Sequence, residues 1–99
     1  MQAQKAFPRV KAVEPLAAKK LRVTFINDAV KIYDCSHLLE KEAFRFLRDE
    51  VFFRSVRVEP SGYAVAWNDR VDLAESELWL HGESPNTRLQ RTAGAGVEA

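Results

Sequence analysis

Cys35 and His37 are the residues whose types and spacing come closest to a reaction centre. A nucleophilic cysteine requires a base beside its thiol and a third group that orients the base. The two residues are two positions apart, so they can share one face of a strand. No pocket signature accompanies them, however, and a small buried thiol is the simpler interpretation. We therefore expect no catalysis at this pair.

Other combinations of reactive side chains give even less indication of a catalytic, metal or cofactor site. The cysteine and the two histidines, His37 and His81, lack the paired spacing of a structural zinc site. The four glycines form no phosphate-binding loop. Asp69 and Asp72 flank a predicted turn and a predicted helix cap, and these structural roles account for them. The sequence thus predicts a protein that is not an enzyme and that binds no metal and no cofactor.

A segment that combines arginine with phenylalanine is the best candidate for an interaction surface. Arginine side chains can bind a nucleic-acid backbone, and phenylalanine rings can stack on its bases. The acidic residues between them weaken the positive electrostatic potential that such binding requires. Phe52 and Phe53 are consecutive, so a regular element cannot turn both to one side. Either one is exposed at a contact, or both are buried because the chain turns there. The candidate surface consists of Arg45, Arg48, Phe52, Phe53, Arg54 and Arg57.

Composition and charge narrow the class of protein. The 99 residues are 46% hydrophobic and 29% charged, which is typical of one folded domain. Residues 1–31 contain seven bases and two acids, whereas residues 32–82 contain six bases and ten acids. Either the two parts neutralise each other in the fold, or a basic sheet face is presented to an acidic partner. The net charge of +1 gives no overall field for nucleic acid.

The cellular location is constrained by what the chain lacks. No run of about eighteen apolar residues is present, so we expect no membrane span. The first residues contain no apolar core of a secretory signal. A single cysteine cannot form an internal disulfide, which fits a reducing compartment. We expect a cytoplasmic protein.

The elements that position these residues begin with three segments of alternating polarity. In residues 9–13 charged and apolar side chains alternate, which predicts a strand, and we expect Pro15 to end it. Residues 21–25 and 30–33 alternate on either side of an Asn-Asp pair, which is typical of a tight turn. The pattern predicts a hairpin to which the first strand adds as a three-stranded meander.

A helical period follows the meander. Phe44, Leu47 and Val51 fall at i, i+3 and i+7, which predicts one buried stripe. Three other phenylalanines lie off this stripe. Either the helix is buried on two sides, or it breaks near Asp49-Glu50 into two pieces, and we favour the break.

The second half of the sequence again predicts strands. Residues 63–67, which end at Trp67, are apolar throughout, and this predicts a central strand covered on both faces. Residues 55–59 and 70–73 flank it as shorter strands. A helix over residues 74–81 is predicted to start at a capping box and to stop at a C′ glycine. The cap residues are Asp72, Glu75 and Gly82.

Together these segments predict an α+β fold. A small, mainly antiparallel sheet of hairpins packs with one or two short helices in a single domain over residues 7–82. Residues 1–6 are predicted to be a flexible N-terminus. Residues 83–99 show no hydrophobic periodicity and contain few large apolar side chains, which predicts a flexible C-terminal tail.

Scattered motifs over residues 8–82 follow one another in an order and spacing that are together fairly specific. The motifs are Pro8-Arg9-Val10, Leu21-Arg22-Val23-Thr24-Phe25, Tyr33-Asp34, Leu38-Leu39, Phe44, Leu47-Arg48-Asp49, Phe53, Val56-Arg57-Val58, Trp67-Asn68-Asp69 and Asp72-Leu73. In these motifs the chain is similar to a small bacterial family, domain of unknown function 2442. The resemblance implies an α+β domain from a bacterial cytoplasm, with no established activity and no functional residue to carry over. It also implies a two-component, toxin–antitoxin-like arrangement with a neighbouring small protein.

These observations favour a function in protein association. Exposed strand edges can add a partner strand, and two-fold pairing is common among soluble proteins. We expect a non-catalytic interaction module, an adaptor or antitoxin-like partner of a neighbouring small bacterial protein, or a homodimer. The alternative is a nucleic-acid-binding accessory protein, whose binding would weaken steeply with salt.

Overall fold

The computed structural model describes residues 7–85, which form a succession of short elements. The α-helices are α1 (Glu50–Phe53) and α2 (Glu75–His81), and 3-10 helical segments cover Ala17–Lys19, Ser36–Leu38 and Glu42–Arg48. The predicted flexible N-terminus and residues 86–99 of the predicted tail lie outside the described residues. The strands are β1 (Val10–Leu16), β2 (Lys20–Phe25), β3 (Val30–Asp34), β4 (Arg57–Val58), β5 (Ala64–Ala66) and β6 (Asp72–Ala74).

Strands β1, β2 and β3 form the predicted antiparallel meander, which is confirmed. In the turn between β2 and β3, Asp28 adopts a left-handed backbone with a φ of 70°. The Asn27 side chain stabilises this turn by accepting a hydrogen bond of 3.0 Å from the Ala29 N–H. Alternation along β2 sends its apolar side chains into the core without exposed surface.

The prediction that Pro15 ends the first strand is wrong. β1 continues to Leu16, and Pro15 lies opposite Leu21 in the register of the sheet. A proline removes one backbone donor, but β1 is an edge strand, where this loss is tolerated. Proline therefore marks the edge of this sheet and does not end the strand.

Strands β4, β5 and β6 form a second antiparallel sheet, separate from the first, and β5 takes the predicted central position. Tyr63, the first residue of the predicted central strand, is 54% exposed, so the prediction of cover on both faces is wrong at this end. Val65 and Ala66 have no exposed surface, and Trp67 is 4% exposed. The Trp67 indole Nε1–H donates a hydrogen bond of 2.8 Å to the carbonyl of Phe53, so its only polar group is satisfied. The α+β class is confirmed, with the strands divided between two three-stranded sheets.

The helical middle of the chain is broken where the sequence predicts. Asp49 is extended, with φ −79° and ψ 117°, between the 3-10 segment Glu42–Arg48 and α1. Its carboxylate Oδ1 accepts hydrogen bonds from the backbone N–H groups of Val51 and Phe52 at 3.0 and 3.4 Å. Asp49 is therefore the N-cap of α1, and this cap sets a new register for the residues after it.

The predicted buried stripe is wrong at its last residue. Leu47 has no exposed surface and Phe44 packs against the core, but Val51 is 81% exposed. The spacing of i, i+7 puts two residues on one face only if one helix runs through both. Because the chain is extended at Asp49, Val51 is turned out to the solvent.

The predicted capping box of α2 is also wrong. Asp72 lies in β6, and the N-cap position is occupied by Ala74, which makes no side-chain cap. The first N–H of the helix, that of Glu75, instead donates to the Tyr63 carbonyl at 2.9 Å. The start of α2 is thus stabilised by the neighbouring strand and not by its own sequence.

The end of α2 shows a different use of glycine from the one predicted. Gly82 follows the helix with a φ of −77°, so it has no left-handed backbone that only glycine favours. A Cβ at this position would lie 2.6 Å from the Leu78 carbonyl oxygen and 2.9 Å from the Lys31 Cβ. Glycine is required here because the last turn of α2 and Lys31 of β3 both leave too little room for a Cβ. The next residue, Glu83, exchanges backbone hydrogen bonds of 2.8 and 2.9 Å with Ile32 of β3, past the predicted domain boundary at residue 82.

Candidate functional site

Cys35 and His37 lie in different environments in the structure. Cys35 has no exposed surface, and burial, reinforced by the charge of Asp34, raises the pKa of its thiol to about 12. The thiol is therefore protonated at neutral pH, whereas the nucleophile is the thiolate. His37 is exposed and its Nε2 lies 3.4 Å from the hydroxyl oxygen of Tyr33. This geometry supports the structural interpretation of Cys35.

The histidines instead lie near a polar cluster between β3 and α2. The hydroxyl of the buried Tyr33 donates a hydrogen bond of 2.7 Å to Glu77, whose second oxygen is 3.9 Å from His81. Burial and the bond to Glu77 raise the pKa of Tyr33, so it remains a donor. A cleft of about 250 Å³, lined by Lys20, His37 and His81 among others, lies beside it. Across residues 7–85 no group of three His, Cys, Asp or Glu side chains could hold a metal ion.

Two arginines of the predicted surface form ion pairs with acids on their own segment. Arg45 lies 3.3 Å from Glu42, and Arg54 lies 3.7 Å from Glu50. All four side chains are more than half exposed, so these pairs contribute little to stability. Each guanidinium carries five donors, so most of its hydrogen-bonding capacity is available to a partner.

The other two predicted arginines bind backbone carbonyls of the protein itself. Arg48 Nε–H donates to the Leu39 carbonyl at 3.0 Å, and Arg57 Nη1 donates to the Trp67 carbonyl at 3.2 Å. Both residues are exposed, but their side chains are partly committed to holding the fold. Arg45 and Arg54 are therefore less committed to the fold than Arg48 and Arg57.

The two consecutive phenylalanines separate, and Phe53 does not belong to the surface. Phe53 has no exposed surface and contacts Trp67 at 6.2 Å between ring centroids. Phe52 is half-buried and packs against the edge of the core. Because Phe53 is fully buried, the prediction that it belongs to the candidate surface is wrong. Phe52 stays in the candidate surface.

Sequence reasoning missed the two most exposed apolar residues of this region. Phe46 is 59% exposed and its ring lies 6.0 Å from that of Phe52. Val51 is 81% exposed and adjoins Phe52 along α1. We call Phe46, Val51 and Phe52 the apolar patch. The signal that could have revealed it is the N-cap at Asp49, because a new helix start moves Val51 off the buried stripe.

Charged residues lie at both ends of the apolar patch. Arg45 stacks on the Phe46 ring, with its guanidinium carbon 5.7 Å from the centroid. At the other end, helical spacing of 100° per residue places Phe52 and Arg54 on opposite sides of Val51. Glu50 lies beside Arg54, and a hydrogen bond from Lys19 lowers the pKa of its carboxyl, so the group is ionised at neutral pH.

Several basic residues of the first part of the chain lie beside acidic residues. Acids of the same part neutralise two of them, since Lys11 pairs with Asp28 at 3.1 Å and Arg22 with Glu14 at 2.6 Å. A third pair, Lys19 with Glu50 at 2.7 Å, joins the two parts, while Lys20 and Asp34 are register partners. The arrangement favours mutual neutralisation over a basic face presented to a partner.

Comparison with known families identifies the family to which this chain belongs. The family model described as Protein of unknown function (DUF2442) matches residues 10–84, which is more than half of the chain. The chain therefore belongs to the DUF2442 family. The searches of curated proteins and of solved structures gave no match. Among the described residues, no helix has the length and apolar character needed to cross a membrane.

Proposed function

We propose that this protein is a non-catalytic protein-interaction module and that the apolar patch is the centre of its contact surface. The observation that carries the proposal is the exposure of Phe46 and Val51 beside the half-buried Phe52. Exposed apolar groups that adjoin one another, with a polar rim, are typical of association sites. Aromatic and arginine side chains are also the types that contribute most binding energy at interfaces.

The other exposed apolar residues support this choice by contrast. Ile26 and Leu80 are exposed singly, and scattered residues of this kind are ordinary on a protein surface. Tyr63 is covered in part by Arg9, whose guanidinium carbon lies 5.3 Å from the ring centroid. Only the apolar patch combines adjoining aromatic rings with flanking ion pairs in the part of the chain that the structure describes.

We propose that the module acts in a bacterial cytoplasm as an adaptor or antitoxin-like partner of another small protein. The family resemblance supports the two-component arrangement, and the single buried cysteine is compatible with a reducing compartment. The protonated thiol of Cys35 supports the non-catalytic part of the proposal. No residue is assigned a chemical step.

The test compares two matched double variants in capture experiments from the source cell. Phe46→Ser with Val51→Ser removes the apolar patch, whereas Ile26→Ser with Leu80→Ser removes the same number of exposed apolar side chains elsewhere. All four residues are more than half exposed, so both variants should fold, which circular dichroism checks. The captured proteins are identified by mass spectrometry.

We expect the wild-type protein and the control variant to retain the same partner, and the patch variant to lose at least 90% of it, that is, a tenfold loss or about 1.4 kcal/mol of binding free energy. Equal capture by all three proteins would show that the patch is not the contact surface. An absence of any retained protein, including a second copy of the chain, would contradict the interaction module itself.

The alternative function, a nucleic-acid-binding accessory protein, has less support. The segment from residue 42 to residue 54 contains three arginines and three acids, so its formal charges cancel. Nucleic-acid affinity depends on counterion release by unpaired basic side chains. A gel shift with random DNA and RNA at low and high salt decides the matter, because steep loss of binding with salt would favour this alternative.

A further inference from the structure

We propose that the outer edge of β6, together with the groove beside it, binds an extended peptide segment of a partner protein by strand addition. The groove has a volume of about 460 Å³ and lies between β6 and the segment 37–44. We call it the β6 groove, and it shares no residue with the apolar patch, so this inference does not rest on the proposed function. Its lining includes Leu38, Lys41, Phe44, Asp72, Leu73 and Ala74.

The inner edge of β6 is hydrogen-bonded to β5. The Trp67 N–H donates to the Val71 carbonyl at 2.9 Å. The Glu75 N–H donates to the Tyr63 carbonyl at 2.9 Å. Since the bonds of an antiparallel pair recur at every second residue, the backbone groups of Leu73 also face β5.

The outer edge of β6 carries backbone groups without a partner. The residues on either side of Leu73 alternate with it, so the N–H and C=O of Asp72 and the N–H of Ala74 point away from β5. Within residues 7–85 these three groups make no hydrogen bond. Both residues are exposed, so a second chain can reach them. A row of donors and acceptors at strand spacing is matched by another extended backbone, which is the basis of strand addition.

The floor of the β6 groove is apolar. Leu38 and Leu73 are each 5% exposed, and Phe44 is half-buried against the core. Side chains directly opposite each other on paired strands lie on the same face of the sheet. A peptide residue opposite Leu73 therefore points to this floor, which favours an apolar side chain at that position.

The rim of the β6 groove carries an unpaired charge of each sign. The Lys41 and Asp72 side chains belong to exposed residues and make no ion pair within the described part of the chain. They differ in this from the charges around the apolar patch, which are paired within the chain. Charge complementarity therefore favours a peptide whose apolar residue lies between a basic and an acidic residue.

The other sheet edges offer less to an added strand. Glu83 already exchanges hydrogen bonds with Ile32 along the outer edge of β3. β1 contains Pro15, which has no N–H, and the Val10 N–H of the same strand donates to the Gly62 carbonyl. β4 contains only two residues. Strand addition is therefore assigned to β6.

The test titrates the full chain with a capped peptide of sequence Lys-Val-Leu-Val-Glu. Its leucine is designed to lie opposite Leu73 and its valines opposite Asp72 and Ala74, with a charged residue at each end for the rim. The first control peptide carries N-methyl groups on both valines, so it cannot donate to the Asp72 carbonyl. The second control is free leucine, which has an apolar side chain and both charges but no strand. Chemical shifts of the backbone amides in NMR give the dissociation constants.

Ala74→Pro removes one donor of the edge without removing a hydrogen bond of the fold. The φ of Ala74 is −70°, close to the value of about −65° that proline imposes, and its N–H is unpaired within residues 7–85. Ala74→Ser is the matched control, because serine keeps the N–H. The double variant Phe46→Ser with Val51→Ser tests whether the apolar patch contributes. Circular dichroism checks that each variant is folded.

We expect the peptide to bind the wild type, with the largest shifts at the amides of Asp72 and Ala74. N-methylation and Ala74→Pro should each weaken binding at least about tenfold, whereas Ala74→Ser and the patch variant should bind as the wild type does.

Equal binding of the two peptides to the wild type would overturn strand addition, even if Ala74→Pro does not fold. Free leucine that binds as tightly as the peptide would also overturn it, because the groove would then be a small-molecule site. No saturable shift at millimolar peptide would overturn the whole inference, while capture through Phe46 and Val51 tests the proposed function separately.

Discussion

Two buried ionisable side chains, those of Cys35 and Tyr33, make the stability of this protein depend on pH. Cys35 and Tyr33 both have a raised pKa, chiefly because burial disfavours their charged forms. The two groups therefore stabilise the fold only while they are protonated. This makes Cys35 a structural residue whose ionisation opposes folding.

The pH dependence of stability follows from the direction of these shifts. The pKa of Cys35 rises from 9.0 to about 12 on folding, so its contribution is complete below pH 9 and is lost as the pH rises toward 12. We expect the free energy of unfolding of the wild type to fall between about pH 9 and pH 12. Cys35→Ala should show a shallower fall in urea unfolding at the same pH values. Parallel curves for the two proteins would contradict the burial of an ionisable thiol.

Gly82 provides a second test at the residue scale. A Cβ at this position would meet the Leu78 carbonyl at 2.6 Å, and this contact must be relieved by moving backbone. We expect Gly82→Ala to destabilise the fold by about 1–3 kcal/mol, the usual cost of overpacking. Ser76→Ala, a change within α2 that removes no described hydrogen bond, is the matched control. Equal thermal midpoints for Gly82→Ala and the wild type would show that the last turn of α2 and Lys31 leave room for a Cβ at this position.

The chemistry of single residues was only partly predictable from sequence. A lone cysteine with no pocket signature correctly suggested a buried thiol, because composition alone made a reaction centre improbable. The exposure of Val51 was not predicted, since a spacing of i, i+7 has meaning only within one continuous helix. Phe53 was placed on the surface because two consecutive phenylalanines must point to different sides of a regular element. The sequence does not show which of the two side chains points into the core.

At the scale of elements, the N-cap at Asp49 determines the shape of the apolar patch. Its carboxylate satisfies two backbone donors at the start of α1, a helix of only four residues. Such a short helix has little stability of its own and depends on its cap and on packing. The orientation of Val51 and Phe52 therefore depends on this one side chain.

Replacement of Asp49 tests that dependence. We expect Asp49→Ala to lower the free energy of unfolding by about 0.5–2 kcal/mol through loss of the cap. Asp49→Asn and Asp49→Ser keep a side-chain acceptor and should retain most of the stability in urea unfolding. If the alanine variant also keeps wild-type association, the cap does not position the patch, and the account of this element fails.

An element could be predicted from the sequence where local residue patterns determine it, and could not where contacts with distant segments do. The meander was predicted because strict alternation over three segments specifies both strand and face. The start of α2 was not, because its first N–H is satisfied by Tyr63 of another segment, which sequence spacing cannot reveal. Pro15 was misjudged because a proline ends a strand only where its nitrogen must donate, and β1 is an edge.

At the scale of the whole molecule, the two sheets and the helical middle share one core. Residues of both sheets and of the helical middle belong to one hydrophobic cluster. Trp67, which follows β5, joins the second sheet to the helical middle, because its ring packs near Phe53 and its indole N–H binds the carbonyl of the same residue. The central placement of β5 was predicted from the continuous apolar run that contains it. The division into two sheets was not, since strand pairing between distant segments has no local signal.

Truncation of Trp67 should therefore affect the entire fold. We expect Trp67→Ala to cost about 3–5 kcal/mol, which is enough to unfold a domain of this size. Trp67→Phe keeps most of the volume and loses the hydrogen bond, so it should cost less and remain folded. Circular dichroism melts distinguish the cases, and a stable alanine variant would refute the shared core.

Site-specific photo-crosslinking in the source cell tests the central claim, that the apolar patch is a contact surface. A photoreactive amino acid is placed at position 51 in one strain and at position 80, on the outer side of α2, in another. The account predicts a discrete adduct of defined mass from position 51, whether with a second copy or with another protein, and none from position 80. No adduct from position 51, or equal adducts from both positions, would contradict it.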